Sequence, residues 1–319
     1  FISEIKFLSS KVKKAIDFSF NRISNFHSRQ KVKNIFYKDK FNNRLNYKFV
    51  PISSVGIYVP GGTASFPSTV LMSAIPARIA GVKRIVMMNP KINGKHSPAV
   101  LYAAKKLGIK EIYSAGGAQA IAALTYGTKK IKKVDKIVGP GNIFVSNAKK
   151  KVFGEIGIDM IAGPSEITVV ADKFSNVDWV ASDLLAQAEH DTNSQCILIS
   201  KDKNFINRVR NSIANQLKDL PRKLIATKSL ILNGILIHVQ SDKQIVDIVN
   251  MIAPEHLELN IKNYKKIENK IKNAGSICLG KYSAMAIADY NAGTNHILPT
   301  NSSAKFSSGL SVYDFYKKI

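Results

Sequence analysis

The sequence predicts an α/β protein built from two doubly wound parallel sheets. Short apolar runs recur between Val55 and Leu279, and most of them are followed by a turn rich in Gly, Pro or Asn. Most turns lead into an Ala-rich segment with apolar residues at helical spacing. This alternation of strand, turn and helix is typical of parallel sheets covered by helices. At 319 residues the chain is also long enough for two domains of about 100–200 residues each.

Residues 1–45 are predicted to be scaffold. Apolar residues recur there at helical spacing, at Ile5, Leu8, Val12, Ile16, Phe20 and Ile23. This spacing predicts one long amphipathic helix, followed by a polar connector. The segment Phe1–Phe20 mixes Lys and Glu among its apolar residues and has no small-residue cleavage site, which is unlike a signal peptide.

The later elements form two series. The first series has predicted strands at Val55–Val59, Arg84–Met88, Glu111–Tyr113, Lys136–Val138 and Asp159–Ile161, with helices at Ser68–Ile79, Ala99–Leu107 and Ala118–Tyr126. The second has strands at Ile167–Ala171, Cys196–Ser200, Gly234–Val239, Leu257–Leu259 and Ser276–Leu279, with helices at Val177–Ala188, Lys203–Gln216 and Asp242–Ile252. We predict two Rossmann-like domains, in which residues 55–165 are inserted between 1–54 and 166–319, with the N-terminal helix packed on the second.

Composition narrows the class of protein. Hydrophobic residues make up 45% and charged residues 22%, and no apolar run approaches the roughly 18 residues that span a bilayer. We therefore expect no membrane partner and a cytoplasmic location. Cys196 and Cys278 each lie in an apolar, strand-like run, which indicates two buried thiols rather than a disulfide framework or a CxxC metal site.

The net charge of +25 raises the possibility of a polyanionic partner. The lysines are, however, scattered over many segments, without interleaved aromatic residues or an RNA-binding signature. Ile and Asn are also abundant, which favours drift in codon usage as the explanation of the high lysine content. We predict no nucleic-acid partner.

Glycine-rich loops follow four of the predicted strands. They read Val59-Pro60-Gly61-Gly62-Thr63, Ala115-Gly116-Gly117-Ala118-Gln119-Ala120, Gly139-Pro140-Gly141-Asn142 and Ala162-Gly163-Pro164-Ser165-Glu166. One such loop is usually only a turn. Four of them indicate close approach of the backbone to a ligand, with N–H groups at helix N-termini available to phosphates, at the carboxyl ends of strands where α/β sheets bind ligands. A dinucleotide fits this pattern, although the GxGxxG fingerprint is absent.

Three of the six histidines lie beside carboxylates or amides, in the segments Gln187–Asp191, Pro254–Glu258 and Asn295–His296. The other three, His27, His96 and His238, are predicted to be structural or surface residues. Each of these histidines, taken alone, is explained equally well by an ordinary hydrogen bond as by a role in a site. Together, His190, His256 and His296 suit a zinc ion or another metal that favours imidazole, and the Glu255–His256 pair could supply a base.

Spacing constrains the metal ligands only in part. Gln187 and His190 are three residues apart on a predicted helix and share a face, while Glu189 points elsewhere. Donor preference alone nevertheless favours Glu189 or Asp191 over Gln187, because carboxylates and imidazoles are the common oxygen and nitrogen ligands of zinc.

Eight blocks carry a family resemblance. They read VGIYVPGGTASFPSTVLMSAIPARIAGV, AGGAQAIAALTYGT, VDKIVGPGN, IDMIAGPSE, DLLAQAEHD, APEHLEL, ADYNAGTNHILPT and AKFSSGLSVYDF. In content and order they strongly resemble the histidinol dehydrogenase family, from about Ile52 to Phe315. The resemblance implies a zinc-containing, NAD-dependent homodimer that oxidises L-histidinol twice, through an enzyme-held aldehyde, to L-histidine.

The resemblance also implies roles for individual residues. Zinc ligands are expected at Gln187, His190 and Asp289, so that Gln187 replaces the carboxylates favoured by donor type. His256 is expected to take the proton of the alcohol and later of the hydrate, and Glu255 to activate the attacking water. The substrate is expected to contact Ser165 and His296, together with His256 and the zinc ligands. NAD is expected to contact Tyr58, Gln119 and Asn142.

The resemblance further assigns NAD to residues 55–165 and the zinc and catalytic groups to the other domain. Members of the family continue beyond the SSGLSVYDF block into a tail with a Glu and a His that reach the partner subunit's active site. They also have residues before the first predicted helix. We therefore expect this sequence to be a piece of a longer chain. Two alternatives stay open, a basic binding protein that has lost catalysis and an NAD-linked dehydrogenase for another alcohol.

Overall fold

The computed structural model describes residues 2–61 and 65–319, with the backbone alone for residues 2 and 3. It divides into two compact units. Unit 1 comprises Phe1–Ile161, Tyr290–Ile297 and Leu310–Ile319, and unit 2 comprises Ala162–Asp289 and Leu298–Gly309. No helix of the described residues is long and apolar enough to cross a membrane.

Unit 1 begins with two helices and a hairpin. Its first elements are α1 (Ile2–Ile5), α2 (Ser10–His27), β1 (Ile35–Lys38), β2 (Arg44–Tyr47) and β3 (Phe49–Pro51). The predicted single helix is interrupted because Ser9 caps a new one, its hydroxyl accepting from the N–H of Val12. The predicted polar connector contains the antiparallel hairpin β1–β2, whose turn is closed by the Asp39 carboxylate accepting from two backbone N–H groups.

The sheet of unit 1 has five parallel strands in the order β6-β5-β4-β7-β8. Its strands are β4 (Ser54–Tyr58), β5 (Arg84–Met88), β6 (Glu111–Tyr113), β7 (Lys136–Val138) and β8 (Gly157–Ile158). Its helices are α3 (Pro67–Ala80), α4 (Pro98–Lys106), α5 (Gly117–Tyr126) and α6 (Ile143–Val152). The chain moves outward from β4 through β5 to β6 and then returns to β7, so the topological switch point lies between β4 and β7.

The last strand of this sheet differs from its predicted position. It was expected at Asp159–Ile161 but ends at Ile158. The Asp159 carboxylate accepts from the N–H of Gly139 and pairs with the buried ammonium of Lys149, so the chain has left the sheet by this residue.

Unit 2 contains the second parallel sheet, in the order β11-β10-β9-β12-β13. Its strands are β9 (Glu166–Ala171), β10 (Gln195–Ser200), β11 (Gly234–His238), β12 (His256–Asn260) and β13 (Ser276–Leu279). Its helices are α7 (Val177–Ala188), α8 (Lys203–Gln216), α9 (Lys223–Asn233), α10 (Asp242–Ile252) and the short α11 (Met285–Ile287). The switch point lies between β9 and β12. The predicted fold class of two doubly wound, Rossmann-like sheets is confirmed.

The units divide the chain differently from the predicted boundaries. The N-terminal residues group with the first sheet, because α2 packs against α3 and buries Ile16 and Ile23 in the same core. The C-terminal residues return to that core as well, where Val312 and Phe315 are fully buried. The final strand, Tyr316–Lys318, pairs antiparallel with β3.

The smaller predictions on cysteine and histidine agree with the structure. Both cysteines are buried free thiols, and burial raises the pKa of each to about 12. His27 is buried and hydrogen-bonded to Gln30, His96 is buried between Asn89 and Ser114, and His238 lies exposed on the edge strand β11.

Candidate active site

The Glu255–His256 pair lies at the amino end of β12. Helix α10 ends at Ile252, Ala253 turns the chain in the left-handed region (φ 51°), and the strand begins at His256. Both members of the pair are buried. Sequence analysis expected ligands at the carboxyl ends of strands. In unit 2 the predicted catalytic pair instead lies at the amino ends, where His256 is in register with Ile167 and Ser276.

Both ring nitrogens of His256 have partners. Nδ1 lies 3.2 Å from the carbonyl oxygen of Glu166 and 3.6 Å from Oε2 of Glu255, and Nε2 lies 3.0 Å from Oδ1 of Asp289. Burial lowers the pKa of His256, but hydrogen bonds to Asp289 and Glu255 outweigh it and hold the pKa well above its usual value. Both partners are acceptors, so both nitrogens donate, which is the pattern of an imidazolium.

Glu166 is a site residue that sequence analysis missed. It opens β9, and its backbone N–H donates to Oε2 of Glu255 over 2.8 Å. Its own carboxylate accepts from the N–H of Asn301 over 2.9 Å. Burial and, to a smaller extent, the charge of Glu255 raise the pKa of Glu166. The available signal was its place beside Ser165 in the block IDMIAGPSE.

Gln187 occupies the last turn of α7 and is only 2% exposed. Its Nε2 atom has no hydrogen-bond partner among the described residues. An unpaired buried amide costs about 1–3 kcal/mol, which is difficult to explain unless the site binds something. Since the two ends of an amide are interchangeable on rotation, Gln187 can equally present its oxygen to a cation.

The neighbours of Gln187 are placed differently. His190 is exposed just beyond the end of α7, and its carbonyl accepts from Arg222. The Asp191 carboxylate accepts from the backbone and side-chain amides of Asn193, both at 2.9 Å, and Glu189 forms the C-cap of α7. The Asp191 carboxylate therefore has a local structural role, and Glu189 caps α7 through its backbone N–H. Within the described part of the chain, no group of three or more His, Cys, Asp or Glu residues could hold a metal.

A second pair of buried acids supports this site. Glu258, 2% exposed, is hydrogen-bonded to Asp183 on α7, and its Oε1 accepts from the N–H of Met285 over 2.7 Å. Burial and the charge of Asp183 raise the pKa of Glu258 well above its usual value, and burial also raises that of Asp183. The pair links α7, which carries Gln187, to β12, which begins at His256, and to α11, which ends two residues before Asp289. Both acids lie in quoted blocks, yet no spacing rule brings them together.

The other expected substrate contacts fall in different places. Ser165 is half-buried at the amino end of β9, where its carbonyl accepts from the N–H of Gln195. His296 belongs to unit 1, and its ring centroid lies 6.2 Å from that of Tyr290. The expectation that both residues lie near the substrate stays a prediction.

The glycine-rich loops of unit 1 lie at the carboxyl ends of β4, β6 and β7, as predicted. The hydroxyl of Tyr58 accepts from the N–H of Gly117 over 3.0 Å, which ties the loop after β6 to the end of β4. Gly139 has φ 113°, and a Cβ there would lie 2.3 Å from the carbonyl oxygen of Tyr58. Only glycine allows this approach. Gly62 and Thr63 lie outside the described residues.

Two helices of unit 1 begin at these loops. Asn142 caps α6, its side chain accepting from the N–H of Val145, and Gln119 lies exposed in the first turn of α5. Lys149 and Asp159 form a buried ion pair that binds Gly139 from both sides, through its carbonyl oxygen and its N–H. The loops are thus rigidly held with their N–H groups at helix N-termini, an arrangement that suits a phosphate-bearing ligand.

Comparison with known proteins agrees with this geometry. A family model described as histidinol dehydrogenase matches residues 2–319. A curated histidinol dehydrogenase of Pelagibacter ubique (strain HTCC1062) is 67% identical over 316 residues, which cover 99% of this chain and 74% of the relative. The chain belongs to the histidinol dehydrogenase family. The resemblance in the sequence blocks is therefore confirmed, and the chain is an oxidoreductase.

Solved structures place the histidinol dehydrogenase family within a wider fold. A crystal structure of histidinol dehydrogenase from Elizabethkingia anophelis is 43% identical, with a TM-score of 0.96 over 100% of this chain and 74% of that one. A propionaldehyde dehydrogenase from Clostridium phytofermentans has a TM-score of 0.58 at 12% identity, over 99% of this chain and 93% of that one. The second similarity concerns the fold alone.

Proposed function

We propose that the chain catalyses the NAD-dependent oxidation of L-histidinol, through L-histidinaldehyde, to L-histidine, the last steps of histidine biosynthesis. The observation that carries the proposal is the buried imidazole of His256, hydrogen-bonded to Asp289 and adjacent to Glu255, in the unit that also buries the unpaired amide of Gln187. Family membership supplies the substrate class, because the relatives are histidinol dehydrogenases.

His256 is the proposed base, and Nε2 is its working atom. Nδ1 is occupied by the carbonyl of Glu166, so a neutral imidazole that keeps its proton on Nδ1 has an acceptor at Nε2. A substrate hydroxyl that replaces Asp289 at Nε2 can then give up its proton. Hydride leaves the carbon only as this proton is removed, which makes His256 essential to both oxidations.

Glu255 is the proposed activator of water. The second oxidation requires a hydrated aldehyde and therefore a positioned water. The Glu255 carboxylate is buried and fixed by the N–H of Glu166, which leaves lone pairs that can accept from that water. The proton that the hydrate then loses goes to His256 at Nε2. The overall reaction consumes one water and two NAD and forms two NADH.

A zinc ion fits the donor set of unit 2. Gln187, His190 and Asp289 would hold it, and the unpaired buried amide of Gln187 supports this assignment. When bound, zinc supplies a fixed positive charge that orients the imidazole and amine of the substrate. Ser165 and His296 are the other proposed substrate contacts. Unit 2, which carries Gln187, His190, His256 and Asp289, is the proposed catalytic unit.

NAD is proposed to bind residues 55–165, with contacts from Tyr58, Gln119 and Asn142. The rigid glycine-rich loops and helix N-termini of unit 1 support this assignment. When bound, NAD accepts the hydride. We also propose a cytoplasmic homodimer. The exposed apolar residues of the β1–β2 hairpin, among them Phe36, Phe41 and Leu45, support an interface with a second copy.

The test is turnover by the full-length protein. Histidinol, NAD and zinc should give two NADH for each histidine formed, measured by absorbance at the NADH band together with amino-acid analysis. Other amino alcohols, such as phenylalaninol, should give little NADH if the imidazole is recognised. Absence of NADH with histidinol, or equal rates across the panel, contradicts the proposal.

A further inference from the structure

In unit 2 the proposed active site lies at the amino ends of the strands, and a separate cavity lies at their carboxyl ends. The proposed active site takes His256 and Glu166 from the amino ends of β12 and β9. Doubly wound sheets bind ligands in the crevice outside the carboxyl ends of the strands, at the switch point. A cavity of about 450 Å³ lies at that position, lined by residues that follow β9, β12 and β13. Its volume is within the range of small-molecule sites.

Aromatic rings line this cavity. Phe174, Tyr264 and Tyr282 contribute to its walls, and Tyr282 is 70% exposed. Trp179 on α7 extends the aromatic surface, with its ring centroid 5.8 Å from that of Tyr282. Clustered and exposed aromatic rings are typical of a surface that stacks against a planar ligand.

The charge of the cavity is positive. The ammonium groups of Lys262 and Lys281 lie 4.8 Å and 5.0 Å from the ring centroids of Phe174 and Tyr282. Asp172 is the acidic residue of the lining, and its two oxygens accept from the backbone N–H groups of Phe174 and Lys262. The carboxylate is therefore committed to the backbone, and the two lysines are available to an anion.

Asn260 provides a polar group in the wall. It ends β12, lines the cavity and is 5% exposed. Its side-chain oxygen, Oδ1, has no hydrogen-bond partner among the described residues. Buried polar atoms in native proteins are nearly always paired, so the unpaired end of this amide is a polar group that a ligand can satisfy. As an oxygen, it accepts from an N–H donor.

We propose that this cavity binds a nucleoside phosphate whose base carries an exocyclic amine. The base stacks against Phe174, Tyr264 and Tyr282, the phosphate lies beside Lys262 and Lys281, and the amine donates to Oδ1 of Asn260. The lining of the cavity shares no residue with those proposed for NAD and for histidinol oxidation. It goes beyond the proposed function and does not depend on it.

The chain offers a direct probe of this site. Trp179 is the one tryptophan in the sequence, and it packs against Tyr282 in the cavity wall. Titration of the full-length protein with AMP, with excitation at the red edge of the indole band, should give a saturable change in fluorescence. Inosine monophosphate, which lacks the amine, should bind about tenfold more weakly, because the hydrogen bond to Asn260 is lost. Adenosine and inorganic phosphate alone separate the contributions of base and phosphate, and both should bind more weakly than AMP.

Variants assign the signal to the cavity. The double variant Lys262→Gln/Lys281→Gln should weaken AMP binding at least tenfold by fluorescence and calorimetry, while the control Lys228→Gln on α9 should not change it. All three lysines are exposed, so folding should be preserved. No saturable response to AMP, an equal response to phosphate alone, or unchanged binding by the double variant overturns the proposal. Histidinol oxidation, assayed in parallel, should be unchanged in the double variant. A wild-type protein that does not oxidise histidinol would count against the proposed function alone, and not against the nucleotide site.

Discussion

The buried acid pair of Asp183 and Glu258 predicts an unusual dependence of stability on pH. The folded pKa of Glu258 is raised well above its unfolded value near 4.5 by burial and by the charge of Asp183. The stabilisation from a raised carboxyl pKa is complete below the unfolded pKa and is lost as pH rises through the folded pKa. Wild-type stability should therefore decrease as the pH rises from the unfolded pKa toward the folded pKa of this group.

Glu258→Gln isolates this effect. A carboxamide keeps an acceptor for the N–H of Met285 and a donor for Asp183, and it does not titrate. The free energy of unfolding of the variant, relative to the wild type, should therefore rise with pH, by up to about 1.4 kcal/mol for each pH unit within this window. Urea denaturation followed by circular dichroism at pH 5, 6 and 7 measures the difference.

Two further variants sharpen the test. Glu258→Leu leaves the N–H of Met285 and the Asp183 carboxyl unpaired, and should cost about 2–6 kcal/mol in total, at about 1–3 kcal/mol for each buried group. Glu111→Gln is the matched control. The ion pair with Arg84 lowers the pKa of Glu111, so its contribution is lost only as pH falls below the unfolded value. The deficit of Glu111→Gln should stay constant from pH 5 to pH 7. If Glu258→Gln also gives a constant difference, the acid pair is not protonated.

Three other predictions concern the site. His256→Ala should lower kcat by about 10²–10⁴-fold, since a general base is lost, whereas His238→Ala on the edge strand should leave kcat unchanged. Gln187→Leu should lower the zinc content measured by mass spectrometry. The metal-free variant should keep or gain thermal stability, because an unpaired amide is removed. Unchanged zinc binding would exclude Gln187 as a ligand. Gly139→Ala should raise the KM for NAD and lower the free energy of unfolding, measured by urea denaturation, by more than about 2 kcal/mol. Gly154 has a similar φ but open space around it, so Gly154→Ala should lower the free energy of unfolding by about 1 kcal/mol and leave the KM unchanged.

The helices of unit 2 show what local sequence can predict. The predicted bounds of α7, α8 and α10 agree with the structure, because each begins at a capping residue whose side chain accepts from the first turn, namely Asn176, Asp202 and Ser241. Helix α9 was missed because it buries only Ala226 and Ser229, and so has no apolar period to detect.

The site shows what local sequence cannot predict. Gln187 was ranked below its acidic neighbours because donor type is visible in a sequence and burial is not. Glu166, Asp183 and Glu258 were missed because their contacts depend on strand register and on how α7 packs beside β12. These contacts join residues that are far apart in the sequence. Of these residues, only Gln187 was indicated before the structure, as a zinc ligand implied by the family resemblance.

The sites proposed for the two units lie at opposite ends of the same topology, and helix electrostatics gives a reason. In unit 1 the glycine-rich loops lead into the N-termini of α5 and α6, where N–H groups and the positive end of the helix dipole favour an anion. In unit 2, Gln187 and His190 lie at the C-terminus of α7, and Glu255 and His256 follow the C-terminus of α10. Helix C-termini carry partial negative charge and favour cations. The amino ends of the second sheet therefore suit an imidazolium and the proposed zinc, whereas the carboxyl ends of the first sheet suit the pyrophosphate of a dinucleotide.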